Sequence, residues 1–421
     1  MMWAQSMANL HPIQKLVLLT IALLLPAYGL LTMPIDGIIA RTAMRNLSLP
    51  ILAGEMLFCL LAVASGVTLS TIWRNTSSLS RWSAVLWLVA ASCSTFLLEP
   101  ANGSGNGLFM MSVGHLLFAS LGVAALRTFW LPLRSYLLPS LSIGIAAFTA
   151  LAVAFSIYAA RFPDFQWVYF GFGAGNVRHL GYYSVILTGI SLGLLLNREG
   201  SSEKFAFVLL LFGTFLLFWS GGRGPILCLL GQIVIFSACL PSGGKVRLLG
   251  NVAVISALSL ILAYFLAPDE HWGPSGLFSQ PIEADGLNDF SSNRIAVWRE
   301  CFAVILEKPL MGYGPGQFKS QISSAGGWLA QPHNLVLQML FHWGIVGSLC
   351  LLGVVAGTLK PSLLGAVIRD RSAPPAILAF SGLIALSVID GALFYPFPVI
   401  AAILCIAVIV SAPILDDISS S

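Results

Sequence analysis

The sequence predicts an all-α polytopic integral membrane protein, and three observations point to that fold class. Hydrophobic residues make up 57% of its 421 residues. Charged residues make up only 9%, whereas an average soluble domain has about 25%. The apolar runs are long and unbroken, close to the roughly 20 residues that a membrane-spanning helix needs. A transmembrane barrel would instead show segments of about 10 residues with alternating polarity, so the pattern argues against a barrel.

Hydropathy divides the chain into about twelve predicted spans. They lie near residues 13–33, 48–73, 82–98, 107–127, 136–160, 180–197, 205–221, 225–240, 248–266, 335–356, 374–393 and 397–414. The short GGRGP connection after the seventh leaves a second arrangement open, in which the seventh and eighth form one hairpin that enters from the outer side. No internal repeat is evident, so we expect residues 1–421 to form a single membrane domain.

The distribution of basic residues predicts the orientation in the membrane. Short loops that contain Arg74, Arg127 and Lys245 fall on the same side as Lys15, and short basic loops usually face the cytoplasm. We therefore expect both termini to be cytoplasmic. The net charge is only +4 and no stripe of Lys and Arg is present, so the lipid bilayer is an expected partner and nucleic acid is not.

Residues 267–334 form the one long hydrophilic segment, and in this topology it is a large loop on the outer, periplasmic side. We expect the chemistry there. Ser292 or Asn293 can begin a helix that ends before Pro309. Its apolar residues recur at helical spacing and predict an amphipathic helix on or near the membrane surface: Ile295, Trp298, Phe302 and Ile305. The following MGYGPGQF allows tight turns and a close approach of backbone amides to an anion.

Arginines and one histidine near the predicted outer surface are the candidate functional residues. Arg223, between glycines in SGGRGP, suits a diphosphate, although a helix-end arginine also commonly extends to lipid headgroups. Arg294 and Arg299 lie about 140° apart on the amphipathic helix, so one can face a ligand while the other meets solvent or anionic lipid. His333 precedes an apolar helix, and because histidine has a pKa of about 6.5 it can act as a general base; the alternative is a helix cap.

Other polar residues lie in or beside the predicted spans. Asn176, Arg178 and His179 stand in another outer connection, where packing is the favoured interpretation and an extension of the polar site the alternative. Glu55 and Asp390 are carboxylates inside predicted spans, where charge is costly. We expect structural pairing for both, and Asp390 is close enough to the outer surface to pair with an external arginine. No metal-binding or cofactor-binding motif is present, so we expect a site without metal or cofactor.

Taken in order, SGGRGP, RIAVWRECFAVILEKPLMGYGPGQF and PHNLVLQMLFHWGIVG resemble the O-antigen ligase and polymerase superfamily of bacterial membrane glycosyltransferases. Ligases of this family have a His followed by Asn, Ser or Gln, then nine residues, GxxG, and a Gly, Thr or Tyr. His333, Asn334, Gly344 and Gly347 fit that pattern, whereas Ser348 departs from it.

The resemblance places a ligase-like region at residues 205–356 and implies a GT-C-like membrane fold in the bacterial inner membrane. It implies His333 as the catalytic residue and Arg223 and Arg294 as ligands of the diphosphate, with Trp298 one turn beyond Arg294. The implied donor is a glycan on undecaprenyl diphosphate, and the implied acceptor is a hydroxyl of a glycan or glycolipid, with a lipid A core sugar favoured.

Three alternative functions remain open at this point. Polymerisation of repeat units and transfer to a protein hydroxyl share the same motifs. A flippase or transporter of lipid-linked glycan also suits many membrane spans, but it would predict broken, polar helices at corresponding places of two halves. The polar residues concentrate instead in one outer loop, which favours an enzyme. The candidate supporting residues of that enzyme are Asn334, Trp298, Arg299, Arg178 and Asp390.

Overall fold

The computed structural model describes residues 9–31, 49–96, 103–161, 172, 176–196, 200–240, 245–267, 273–277, 286, 291–326, 329–359 and 372–411. Within these ranges the regular secondary structure is helical and no strand is present. The predicted all-α fold class is confirmed.

Fifteen α-helices are described. They are α1 (Pro12–Leu31), α2 (Leu49–Ala64), α3 (Leu69–Asn75), α4 (Ser78–Phe96), α5 (Gly103–Thr128), α6 (Arg134–Ala159), α7 (Leu180–Leu195), α8 (Gly200–Trp219), α9 (Arg223–Cys239), α10 (Lys245–Leu266), α11 (Arg294–Glu307), α12 (Phe318–Gln321), α13 (Leu335–Thr358), α14 (Ala373–Asp390) and α15 (Pro396–Val410). Each of the twelve predicted spans contains at least one of them.

Fewer than twelve of the described helices are long and apolar enough to cross a membrane on their own. Among the described residues, six helices are long and apolar enough to do so, or seven if α2 and α3, which meet at a 96° bend, form one broken span. The protein is therefore a polytopic membrane protein, while the count of twelve stays a prediction. Helices α8 and α9 both pack on α7, but α8 otherwise packs on α10 and α9 on α14. They contact each other little, so they do not form a closely paired hairpin.

Helix α7 lies at the centre of the bundle, where nearly all of its residues are buried. It packs against α14 at very short range, because a Cβ on Gly193 would lie 2.3 Å from the backbone N of Pro375. Small residues permit such close approach of helices in membranes. The contact brings the carboxyl end of α14 beside the turn that precedes α7, where the candidate site lies.

The predicted loop helix exists as α11 and buries Ile305 as expected, but the rest of its buried face differs from the prediction. Its buried residues are Val297, Cys301 and Ile305, which join a small separate core with Phe341 of α13. Phe302, by contrast, is 54% exposed. The reason is that α11 packs onto α13 and the rest of its own loop, a contact that helical periodicity alone does not reveal.

Helix α13 is broken at Gly344, which has φ 59° and ψ −167°. The loop after α11 lies alongside the break and pairs with it through its backbone. Tyr313 N donates to Phe341 O at 2.8 Å, Ile345 N to Pro309 O at 2.8 Å, and Val346 N to Leu310 O at 3.1 Å. These bonds satisfy groups that the missing helical turn would leave unpaired.

Three backbone amides of MGYGPGQF donate to carbonyl oxygens of the protein itself. For these three, the expectation that they approach an anion is wrong. Gly312 N donates to Lys308 O at 3.0 Å, Tyr313 N to the broken helix, and Gly314 N to His342 O at 2.9 Å. Because these donors are already used within the protein, the glycine-rich segment has a structural role here.

Candidate functional site

The Asp390 carboxylate, at the last residue of α14, is the centre of the candidate site. Its Oδ1 atom lies 2.9 Å from Nη2 of Arg294 and 3.2 Å from Nδ1 of His333. The three side chains come from α14, from the start of α11 and from the segment that leads into α13. The expectation that Asp390 pairs with an external arginine is confirmed, and Arg294 is that arginine.

The last carbonyl groups of α14 receive hydrogen bonds from the same residues. Asn334 Nδ2 donates to Val388 O at 2.9 Å, and Arg294 Nη1 donates to Ile389 O. His333 Nδ1 also lies 3.3 Å from Asp390 O. A helix carboxyl end has unpaired carbonyls and a partial negative charge. The site is therefore built around a negative helix end, with a carboxylate on its last residue.

This geometry assigns the proton on the His333 ring. Both neighbours of Nδ1 are oxygen atoms of Asp390 that accept hydrogen bonds, so Nδ1 is the protonated nitrogen. In the neutral ring, Nε2 then has the free lone pair that a general base needs. The side chain is 16% exposed, which leaves it within reach of a substrate.

The helix cap and the candidate base are two different, consecutive residues. Asn334 is the N-cap of α13, because its side-chain oxygen accepts a hydrogen bond from Leu337 N at 3.0 Å. The alternative in which His333 provides the cap is therefore wrong. His333 itself has φ 52°, a left-handed conformation that is uncommon for residues other than glycine and is often found at functional sites.

Gly391, the residue after Asp390, packs directly beneath His333. Its φ of 62° is also left-handed, and an added Cβ would lie 2.3 Å from Gln331 Oε1 and 3.1 Å from the Cα of His333. A side chain here would push the Asp390 turn and the His333 segment apart. Gln331, which is buried at 2% exposure, was not identified from the sequence.

Trp298 and Arg299 have different positions on α11. The Trp298 indole N–H donates to Pro332 O at 2.7 Å and so ties the loop helix to the residue before His333. Arg299 is exposed, whereas Arg294, on another face of α11, contacts Asp390. The expected division between one inward and one outward arginine is confirmed.

Arg178 and Arg223 bring two further positive charges to the same place. Arg223 Nη2 lies 3.4 Å from the hydroxyl of Ser292, two residues before Arg294. The pKa of the Arg178 guanidinium is lowered by burial and by the positive charges of Arg223 and Arg294, with Asp390 acting in the opposite direction. Arg178 is thus within electrostatic range of Arg223, Arg294 and Asp390, and a cluster of three arginines suits a multiply charged anion such as a diphosphate.

Aromatic residues that the sequence did not identify lie under the site. Tyr182 donates a hydrogen bond to Asp390 O at 3.3 Å, and the Tyr395 hydroxyl lies 3.2 Å from Nε2 of His179. Burial lowers the pKa of His179 to about 4, so this imidazole is neutral at pH 7. The favoured interpretation of His179 as a packing residue is consistent with its stacking on Tyr182 at 5.3 Å. Asn176 caps the turn through Arg178 N at 2.9 Å.

Glu55 belongs to another part of the bundle. It is buried on α2 and pairs with Nδ1 of His115 on α5 at 2.8 Å. The expectation of structural pairing for Glu55 is confirmed, although its partner was not predicted. Among the described residues, no group of three or more His, Cys, Asp or Glu side chains is placed to hold a metal ion.

Comparisons with known proteins agree with the motifs at this site. A family model described as O-antigen ligase matches residues 205–352, a segment that contains Arg223, Arg294 and His333. The curated O-antigen ligase of Pseudomonas aeruginosa is 27% identical over 196 residues, which make up 44% of this chain and 46% of that protein. The chain thus aligns with somewhat less than half the length of this relative. The site motifs and these two matches support a relationship between this chain and the O-antigen ligase superfamily.

Proposed function

We propose that the protein is an O-antigen ligase that transfers a glycan from undecaprenyl diphosphate to a hydroxyl acceptor. The favoured acceptor is a sugar of the lipid A core, and the reaction takes place at the periplasmic face of the bacterial inner membrane. The observation that carries the proposal is the meeting of His333 and Arg294 on Asp390, with Arg178 within electrostatic range of Asp390, Arg294 and Arg223. All but Arg178 and Asp390 lie in the segment that matches the family model.

In this proposal His333 is the general base. Asp390 holds the Nδ1 proton and orients the ring, as a carboxylate commonly does beside a catalytic histidine. Nε2 takes the proton of the acceptor hydroxyl while the oxygen of that hydroxyl attacks the anomeric carbon. General-base assistance of this kind typically contributes about 10²-fold to 10⁴-fold to the rate.

The arginines act on the leaving group. As the bond from the anomeric carbon to the acceptor oxygen forms, the bond to the diphosphate oxygen breaks, and the undecaprenyl diphosphate leaves with the electron pair. Arg223 and Arg294, supported by Arg178, stabilise the charge that develops on that oxygen. A single displacement inverts the anomeric configuration, and the charge is balanced by arginines without a metal ion.

The proposed topology places the site at the periplasmic surface of the membrane. In the proposed topology residues 267–334 are the periplasmic loop, and α11 lies within it. Together with the helices around it, the loop belongs to a ligase-like region at residues 205–356. Asn334 and Trp298 hold the His333 segment by the hydrogen bonds described above, so we assign them to positioning.

The test is transfer of glycan in membranes that contain His333→Ala or Arg294→Ala. We expect both variants to lose capped lipopolysaccharide while polymer on the lipid carrier accumulates. Lys319→Gln is the matched control, because it removes an exposed positive charge from the same loop and should leave transfer unchanged. Transfer by both site variants at the wild-type rate would refute the site assignment.

The glycan phenotype also separates the other functions. Single-repeat products in a deletion strain would identify a polymerase. Modified protein that disappears on deletion would identify a protein glycosyltransferase. Lipid-linked glycan that fails to reach the periplasm would identify a flippase, and in that case His333→Ala should leave the chemistry of transfer intact.

A further inference from the structure

Two of the three guanidinium nitrogens of Arg294 donate to the end of α14, although the proposed function needs this arginine for the diphosphate. Nη1 donates to Ile389 O and Nη2 to Asp390 Oδ1. These two contacts occupy the forked face with which a guanidinium ordinarily grips a phosphate or carboxylate. The side chain is nevertheless 27% exposed, so an anion can approach it from the open side.

Asp390 is shared between two partners that compete for the same atom. Oδ1 lies 2.9 Å from Arg294 Nη2 and 3.2 Å from His333 Nδ1. A carboxylate oxygen that is held by a permanently charged guanidinium has less negative potential to offer the imidazole. As long as Arg294 stays in place, the charge of Asp390 is therefore shared between the guanidinium and the imidazole.

The neighbouring groups favour release of Arg294 when an anion arrives. Arg178 lies close enough to both Arg223 and Arg294 for their positive charges to repel one another. Asp390 is the carboxylate that acts on Arg178 in the opposite direction. His179 is neutral at pH 7 because burial lowers its pKa to about 4. A diphosphate carries at least as much negative charge as the single carboxylate and can contact several arginines at once.

We propose that Arg294 exchanges partners when the donor binds. The diphosphate takes the guanidinium from Asp390, and Asp390 is then left to His333 alone. This rests on the proposed function and adds an order of events to it. Before the donor binds, the resident carboxylate occupies the arginine and is shared between Arg294 and His333. After it binds, the full charge of Asp390 stabilises the imidazolium that forms as His333 takes the acceptor proton.

The exchange makes a binding prediction that a fixed Arg294–Asp390 pair does not make. Asp390→Asn removes the competing anion while it keeps the shape of the side chain. The variant should bind undecaprenyl diphosphate about fivefold or more tightly, the low end of the coupling between linked sites, yet transfer glycan about 10²-fold more slowly. Arg294→Gln should bind the probe about tenfold more weakly. In the Arg294→Gln background, Asp390→Asn should no longer change the affinity.

The experiment is titration of undecaprenyl diphosphate into full-length proteins in lipid nanodiscs. The four proteins compared are the wild type, Asp390→Asn, Arg294→Gln and the double variant. Glu300→Gln is the matched control, because it makes the same carboxylate-to-amide change on α11 at a residue whose carboxylate binds Ser323 and Ser324. It should leave the affinity unchanged. If Asp390→Asn weakens binding, or if its effect is the same with and without Arg294, the exchange is refuted.

A second measurement keeps the test decisive if Asp390→Asn does not fold. Asp390→Ser removes the same carboxylate with a smaller side chain, so it should also bind undecaprenyl diphosphate about fivefold or more tightly than the wild type. In the Arg294→Gln background the same substitution should leave the affinity unchanged. Weaker binding by Asp390→Ser, or an equal effect with and without Arg294, would refute the exchange. Failure of the proposed function is separate, since it would appear as undiminished transfer by His333→Ala.

Discussion

Gly344→Ala tests whether the break in α13 is required by its contact with the loop. Gly344 has φ 59° and ψ −167°, a combination that is essentially restricted to glycine. An added methyl would lie 2.3 Å from the C and O atoms of Leu310 and 2.5 Å from Met311 N. These are backbone atoms, so no side chain can rotate away to relieve the overlap. The substitution must displace the loop or reform the helix.

The cost can be worked out from these contacts. A non-glycine residue in such a conformation costs about 1–3 kcal/mol. If the loop moves away, the bonds from Ile345 N to Pro309 O and from Val346 N to Leu310 O are lost. Each lost bond contributes about 1 kcal/mol, and more where the group is left buried without a partner. We expect a loss of about 3–5 kcal/mol in the free energy of unfolding, a large part of the 5–15 kcal/mol that is typical of a folded domain.

The assay is thermal unfolding of the purified protein in detergent, together with glycan transfer in membranes. Gly231→Ala is the matched control, since it lies within α9 and an added Cβ meets no other atom within 4 Å. That control should be neutral or stabilised by up to about 1 kcal/mol, because alanine is the better helix former. Equal unfolding temperatures for the two variants would show that the break does not depend on glycine.

Three further predictions concern the site itself. Gly391→Ala should reduce transfer by about 10²-fold or more, because its Cβ would overlap Gln331 Oε1 and displace the base; rates at the wild-type level would contradict this. Asn334→Ala should lower the free energy of unfolding by about 1–2 kcal/mol, through loss of the cap and of the bond to Val388 O, as measured by denaturation in detergent. The neutral form of His179 is favoured in the fold, so its stabilising effect is complete above about pH 6.5 and is lost as the pH falls towards about 4. Over that interval His179 should lower the free energy of unfolding by roughly 3 kcal/mol, and His179→Phe should remove this part of the pH dependence; an unchanged pH profile of stability would contradict the assignment.

The positions of the helices could be predicted from the sequence because each one obeys a local rule. A run of apolar residues near the required length forms a helix wherever it occurs in the chain. Partners across the bundle follow no such rule. Glu55 was expected to pair, but its partner His115 lies 60 residues away on another helix, and helix adjacency is not encoded in hydropathy.

The individual members of the site were also visible in the sequence, whereas their mutual contacts were not. A histidine before an apolar helix and arginines beside glycines are unusual in a chain with 9% charged residues, and this rarity marked His333, Arg223 and Arg294. Tyr182 and Tyr395 carry no comparable signal, because aromatic residues make up 11% of the chain. Only the close packing of α7 against α14 brings Tyr182 to Asp390.

The spacing between His333 and Gly344 has a mechanical explanation in this fold. The nine residues from Leu335 to Trp343 form a half-helix of about 13 Å, whose two ends are both fixed. At one end Asn334 binds Val388 O, and at the other the loop that follows α11 binds Phe341 O. One residue more or fewer would turn one end by 100° relative to the other, so only one of the two contacts could then form.

Because α11 also carries Arg294 and Trp298, the half-helix is part of a closed ring of contacts. The ring runs from α11 through its loop to the break at Gly344, along the half-helix to Pro332, and back to α11 through the Trp298 indole. His333, the proposed base, and Arg294 both lie on this ring. The ring therefore fixes the distance between them without any direct bond from one to the other. The spacing of the motif therefore sets the distance between the two ends of the proposed reaction, and the glycine break is as necessary to the site as the histidine.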